Sequence, residues 1–300
     1  MNDQTHLIVG PGALGRLLAL SLAEVAPVAL AGRRMLPAIQ TLTTPDGSRR
    51  SRRVATFEVG RLPSATPAFV HLTTKAYDAE AAYAAVMARL AGAPTLVLWQ
   101  NGYRVQPDLD RRHPGPVLCA STTEGAWLAG DDGVVHAGRG VTYVGDLANR
   151  HSRRCLELAT LLGQAGLAAD AVEDIETRLW HKLAVNAAIN PLVARFRIRN
   201  GQLRDRPFRP MVERVIDEVA RIMAAEGISP PAGGWDALVW RVVAATAGNR
   251  ASMLQDVLAG RPTEREAILG PLLAAARRHD IAAPCLSELD DSLLVAPSQR

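Results

Sequence analysis

The stretch HLIVGPGALGRLLALSLA, residues 6–23, decides the fold of the first part of this chain. Leu7, Ile8 and Val9 form a short apolar run of the kind a fully buried strand requires. Gly10, Gly12 and Gly15 follow as GxGxxG, with Pro11, Ala13 and Leu14 between them, and an apolar helix pattern continues to Ala23. Each glycine answers a separate steric demand of a strand–turn–helix nucleotide site. Gly10 allows the tight turn, Gly12 the close approach of a pyrophosphate, and Gly15 close packing of helix on strand. The helix then turns its free amides and positive dipole end toward the phosphates. A glycine turn without chemistry would carry the same letters, but the strand–turn–helix context favours a dinucleotide site.

The next strand, PVALAGRR at 27–34, sets the expected cofactor. Folds selective for NAD place an acid at its end to hold the ribose 2′-hydroxyl. Gly32, Arg33 and Arg34 stand there instead, an arrangement suited to a 2′-phosphate, so NADP is expected. The spacing does not say which of the two arginines makes the contact. Pro45-Asp46-Gly47 then marks a solvated hairpin carrying Arg49, Arg50, Arg52 and Arg53. That basic run lacks interleaved aromatics, which argues against nucleic acid. The strands AFVHLTT (68–74) and TLVLWQ (95–100) deliver Lys75 and Asn101-Gly102 at their carboxyl ends, where open α/β sheets place ligands. Further strands are expected in VLCASTTEGAW (117–127) and GVVHAGRGVTYVGD (133–146). Thr122, Thr123, Glu124 and His136 in them read as ordinary strand residues.

A second informative stretch is WHKLAVNAAINPL, residues 180–192. It is apolar enough to bury as a helix, yet Lys182, Asn186 and Asn190 recur at i, i+4 and i+8. One helix face therefore carries an ammonium and two amides. Such a stripe must meet water or a small polyoxygenated ligand. Composition favours the ligand. The chain has 34 Lys plus Arg, of which only Lys75 and Lys182 are lysines. An enclosed lysine can shift its pKa and pass a proton, which arginine cannot. The remainder of the chain reads as helical, with Thr263 and Glu266 expected as a capping box. That leaves Glu264 to point elsewhere, and Ser252 falls on a preceding helix.

The bulk numbers narrow the class. Three hundred residues at 48% hydrophobic content suit two cores, expected at 1–172 and 173–300. A net charge of +4 suits an anionic cofactor or substrate and is too weak to indicate nucleic acid. Three cysteines without motif spacing indicate neither disulfides nor a metal site. No signal peptide or membrane-spanning run is visible, so a cytoplasmic protein is expected, with a homodimer left open.

Taken together, GPGALG, TTKAYD, QNG, STTEGA, HKLAVNAAINPL, NRASMLQD and GRPTE resemble the ketopantoate reductase family nearly end to end. The resemblance implies an α/β fold: a Rossmann-type dinucleotide-binding domain followed by an all-helical C-terminal domain. It implies NADPH-dependent reduction of a small 2-keto acid, ketopantoate to pantoate, in pantothenate biosynthesis and the coenzyme A pathway. Lys182 resembles the family's catalytic proton donor and Glu264 the acid that helps position it. Asn101, Asn186, Asn190 and Ser252 resemble substrate-binding groups. Lys75 and Asn101 fall at cofactor-contacting positions, with Arg33 or Arg34 at the 2′-phosphate. The alternatives are a related reductase of another 2-keto or 3-hydroxy acid, and a nonenzymatic NADP-sensing regulator that kept the fold alone.

Overall fold

A computed structural model describes Met1 and residues 4–294. The chain divides into two units, Met1–Gln100 with Val105–Glu176, and Asn101–Arg104 with Thr177–Arg300. Asn101–Arg104, which sequence order assigns to the first part, thus packs with the second.

In the first unit, β1 (His6–Val9) passes through the glycine turn into α1 (Ala13–Leu22), and β2 (Val28–Gly32) follows. The hairpin of β3 (Ile39–Thr43) and β4 (Arg49–Arg53) precedes β5 (Ala55–Glu58). Then come β6 (Phe69–Leu72), α2 (Ala79–Met87), β7 (Thr95–Leu98), α3 (Val105–Arg112) and β8 (Val117–Thr122). The unit ends with β9 (Gly125–Leu128), β10 (Gly133–Gly138), β11 (Thr142–Gly145), α4 (Ser152–Gln164) and β12 (Ala169–Ala171).

Eight strands form one sheet in the order β12-β11-β8-β7-β6-β1-β2-β5. Neighbours are parallel except β8 and β11, as crossover connections require. The central strands are buried on both faces, which is why they read as unbroken apolar runs. Leu7, Ile8, Val9, Val70 and Leu72 are each no more than 1% exposed, and burying such a side chain contributes roughly 1.5–3 kcal/mol. Register pairs Val9 with both Ala31 and Leu72, so β1, β2 and β6 end level. Gly10, Arg33 and Thr73 therefore leave the sheet along one edge.

A closed polar chain crosses this core. Trp99 Nε1 donates to His71 Nδ1 at 3.1 Å, and His71 Nε2 lies 3.0 Å from His6 Nδ1. The first bond leaves Nε2 as the N–H of a neutral His71, which then donates to His6. Burial lowers the His6 pKa to about 4 and that of His71 well below its ordinary value. A smaller sheet, β4-β3-β10-β9, joins the two hairpins through a parallel pairing of β10 with β3.

The second unit is helical among the described residues: α5 (Ile175–Phe196, of which Thr177 onward belongs here), α6 (Arg209–Ala225), α7 (Gly234–Ala245), α8 (Ser252–Leu258), α9 (Arg265–Arg278) and α10 (Pro284–Leu294). Leu183, Ala187, Ala188 and Val193 of α5 are buried among Val212, Ile216, Val219 and Leu272. The helix continues through Pro191 to Phe196, since tight packing outweighs the one backbone bond that proline removes. The buried Glu218 accepts from the amides of Cys285 and Leu286 at 2.8 and 2.9 Å and so caps α10. Among the described residues no helix is long and apolar enough to cross a membrane.

Candidate active site

The glycine turn is built by exclusion. Gly10 has φ +105°, and a Cβ there would lie 2.7 Å from the Thr74 amide nitrogen. A Cβ on Gly15 would come within 2.1 Å of the Gly10 carbonyl oxygen and 2.5 Å of Thr73 Oγ1. Only glycine fits either position. Gly12 differs, because a Cβ there would meet nothing within 4 Å. It is the N-cap of α1, so the open space lies where that helix presents its free amides. Thr73 Oγ1 donates to the Gly10 carbonyl at 2.7 Å and fixes the turn from β6. Among the described residues, the buried Thr74 Oγ1 and Gln100 Oε1 have no hydrogen-bond partner. An open helix terminus, a glycine-walled turn and orphaned polar atoms beside it fit a dinucleotide.

The arginine doublet separates. Both residues are exposed, but Arg34 Nη1 donates to Asp131 Oδ2 at 3.0 Å and its Nη2 donates to Asp131 Oδ1. Arg33 makes no such pair among the described residues. Lys75 stands at the head of the 3-10 turn Ala76–Asp78, directly after β6. Thr122, Glu124 and His136 are engaged internally. Thr142 donates to Thr122 Oγ1 at 2.9 Å, and His136 Nε2 lies 2.5 Å from Glu124 Oε2.

In the second unit the polar stripe of α5 is real. Lys182 and Asn186 are half-buried and Asn190 is buried, while the intervening alanines face the core. Neither side-chain amide of Asn186 or Asn190 makes a hydrogen bond among the described residues. Burial lowers the Lys182 pKa from 10.5 to about 8, and the Glu264 carboxylate acts in the opposite direction. Glu264 is buried and accepts from Asn101 Nδ2 at 3.3 Å. Asn101, Lys182 and Glu264 thus form one electrostatic cluster from three separate parts of the sequence.

Its assembly depends on Gly102, which the sequence places at a strand terminus, and on Tyr103 and Arg104, which sequence reasoning did not single out. Gly102, with φ +86°, lies so close to α9 that a Cβ would be 2.1 Å from the Ala267 carbonyl oxygen. The Tyr103 amide donates to that same oxygen at 3.3 Å, and the Tyr103 ring packs on Trp180 with centroids 4.8 Å apart. Arg104 Nη1 pairs with Glu266 Oε1 at 2.6 Å. These contacts seat the 101–104 loop on α9 and α5 and deliver Asn101 to Glu264. The capping box did not form. α9 begins at Arg265 with Glu264 as N-cap residue, and Glu266 turns to Arg104 because a guanidinium outcompetes a backbone amide for its charge. Ser252, the first residue of α8, is exposed and makes no hydrogen bond to the cluster. Among the described residues no group of three or more His, Cys, Asp or Glu could hold a metal ion.

The family model described as Ketopantoate reductase PanE/ApbA matches residues 6–149, and that described as Ketopantoate reductase PanE/ApbA C terminal matches residues 174–291. The 2-dehydropantoate 2-reductase of Vibrio cholerae is 36% identical over 287 residues, covering 94% of each chain. Among solved structures, 2-dehydropantoate 2-reductase from Geobacter metallireducens superposes with a TM-score of 0.87 at 23% identity, covering 97% of this chain and 99% of that one. D-mandelate dehydrogenase, solved with NADH and anilino(oxo)acetate, superposes at 0.86 and 20% identity, covering 97% of each. The last two establish the shared fold.

Proposed function

This chain belongs to the ketopantoate reductase family of oxidoreductases, which use a nicotinamide cofactor, and on that premise we propose that it reduces ketopantoate to pantoate with NADPH, Lys182 serving as proton donor. The observation that carries this reading is the Lys182 amine with its pKa lowered to about 8, beside Glu264 and on one face with two unengaged amides. A general acid works best when its pKa lies near the working pH, and burial has brought this lysine there.

When bound, the cofactor supplies a hydride to the C2 carbonyl carbon. Lys182 Nζ–H donates to the carbonyl oxygen as negative charge grows on it, and its proton completes the hydroxyl. The neutral amine then recovers a proton from solvent. Glu264 keeps the amine protonated between turnovers and holds its place, with Asn101 fixing Glu264 in turn. Asn186 and Asn190 offer amides to the carboxylate and the distal hydroxyl, and Ser252 completes the binding set. An unmatched amide in such a face would cost about 1–3 kcal/mol, so acids lacking the distal hydroxyl are selected against. Gly10 to Gly15 cradle the diphosphate, with Lys75 and Asn101 as further cofactor contacts. Arg33, the member of the doublet not paired with Asp131, takes the 2′-phosphate.

The test is steady-state kinetics with ketopantoate, pyruvate and 2-ketobutyrate against NADPH and NADH. Ketopantoate with NADPH should exceed the other pairs by roughly ten- to hundredfold in kcat/KM. Pyruvate matching ketopantoate would refute the substrate, and equal use of the two cofactors would refute the NADPH preference.

A further inference from the structure

Arg16 is an unusual residue for its position. It sits in the second turn of α1, where a cation opposes the helix dipole, and only 3% of it is exposed. Its Nε donates to the Pro11 carbonyl oxygen at 3.0 Å, inside the glycine turn, and its Nη1 to the Asp131 carbonyl oxygen at 2.6 Å. Asp131 belongs to the turn between β9 and β10, outside the strand–helix–strand unit that binds nucleotides. That turn is held on its other sides too. Ala129 N donates to Gly133 O at 2.9 Å, and Thr41 N to Asp132 O at 2.8 Å. The end of β2 joins the same cluster, since a Cβ on Gly32 would lie 2.8 Å from Pro11 Cγ.

Asp131 is therefore a bridge. Its main-chain carbonyl is fixed by the buried guanidinium of Arg16, and its carboxylate engages the fork of Arg34. A carboxylate on a mobile loop could yield Arg34 to a phosphate at little cost. One anchored through its backbone stays beside Arg34 and keeps its charge compensated, even though both side chains are more than half exposed.

We propose that Asp131, positioned by Arg16, is a specificity-determining residue of the nucleotide site: by retaining Arg34 it leaves Arg33 alone to select a 2′-phosphate and so limits the preference for phosphorylated ribose. The proposal rests on the NADPH reading above. It predicts that releasing Arg34 adds a second cation to the phosphate subsite and sharpens selectivity.

The experiment is calorimetric titration of the full chain with 2′,5′-ADP and with 5′-AMP, which report the adenosine half without catalysis. The wild type should bind 2′,5′-ADP more tightly. Asp131→Asn keeps the anchored main chain, and it should raise the ratio of the two dissociation constants about three- to tenfold. Arg34→Ala alone should leave that ratio within about twofold, and Asp131→Asn added to it should do no more. A wild type that binds both ligands equally refutes the NADPH reading. A preference in the wild type with an unchanged ratio in Asp131→Asn, or an equal rise in the Arg34→Ala background, overturns the role of Asp131.

Discussion

The glycine turn and the polar face of α5 both place polar groups against tightly packed apolar residues, and they treat those groups in opposite ways. In the turn, Thr73 is bonded to Gly10 and Arg16 to Pro11, and two glycines have no room for a methyl group. On α5, the half-buried Asn186 and the buried Asn190 make no side-chain hydrogen bond among the described residues. The bonded groups of the turn hold its shape and leave Thr74 Oγ1 and Gln100 Oε1 over at its edge. A face of unpaired amides can instead gain hydrogen bonds from a ligand that excludes water from it. The first region is a cradle whose fit is steric, and the second is a surface whose fit is chemical.

That contrast is broken most severely at Lys182. Lys182→Arg keeps the charge, and helix propensity tolerates the change. Were the stripe merely an electrostatic anchor, arginine would serve, since it binds carboxylates well. As proton donor it fails, because its pKa above about 12 makes release costly and its planar head misplaces the N–H. We expect kcat to fall by roughly 10² to 10⁴ with NADPH binding nearly unchanged. Turnover and cofactor titration on one preparation check this. Retention of more than about a tenth of wild-type kcat would pass the acid role to another group.

The cradle yields a smaller effect with an internal control. Gly15→Ala forces a methyl within 2.1 Å of the Gly10 carbonyl, so it should destabilise the fold by about 1–3 kcal/mol and loosen cofactor binding with it. Gly12→Ala adds a methyl to open space and should leave the melting temperature nearly unaltered. If the turn cradles the diphosphate as proposed, it should still weaken NADPH binding about tenfold or more, because the added methyl would stand in the diphosphate's path. Equal melting losses in both variants would show that Gly12, too, serves only packing.

How much of this was legible in the sequence follows the same division. The turn could be read because its demands are local: a strand, three glycines at fixed spacing and a helix occupy residues 6–22. The stripe could be read as a pattern, since i, i+4 and i+8 fix one face whatever packs around it. Its cluster could not be read from spacing. Asn101 meets Glu264 across 163 residues, and only the family resemblance names them together. The capping box shows the reason. Thr263 and Glu266 satisfied a local rule, but Arg104 offered Glu266 a charged partner that local sequence cannot reveal. Asp131 is the same case, lying 97 residues from Arg34. The parallel pairing of β10 with β3 that sets its turn in place has no signature in either strand.

The finest test of the chemical surface concerns Glu264, whose effect on Lys182 is electrostatic. Burial lowers the lysine pKa to about 8 against the opposing pull of the Glu264 carboxylate. The protonated amine is the active form of a general acid. Activity in the free enzyme should therefore be full below pH 8 and decline as pH rises through it. Glu264→Gln keeps an oxygen able to accept from Asn101 but removes the charge that favours the ammonium. The lysine then loses its proton at lower pH, and the alkaline limb of kcat/KM shifts toward acid. Near pH 8 the variant should be roughly three- to tenfold less active, and near pH 6, where both enzymes are protonated, the two should converge. A pH–rate profile of both proteins decides the matter. A uniform loss at every pH, with the limb unmoved, would mean that Glu264 acts through placement of substrate or loop and not through the charge of Lys182.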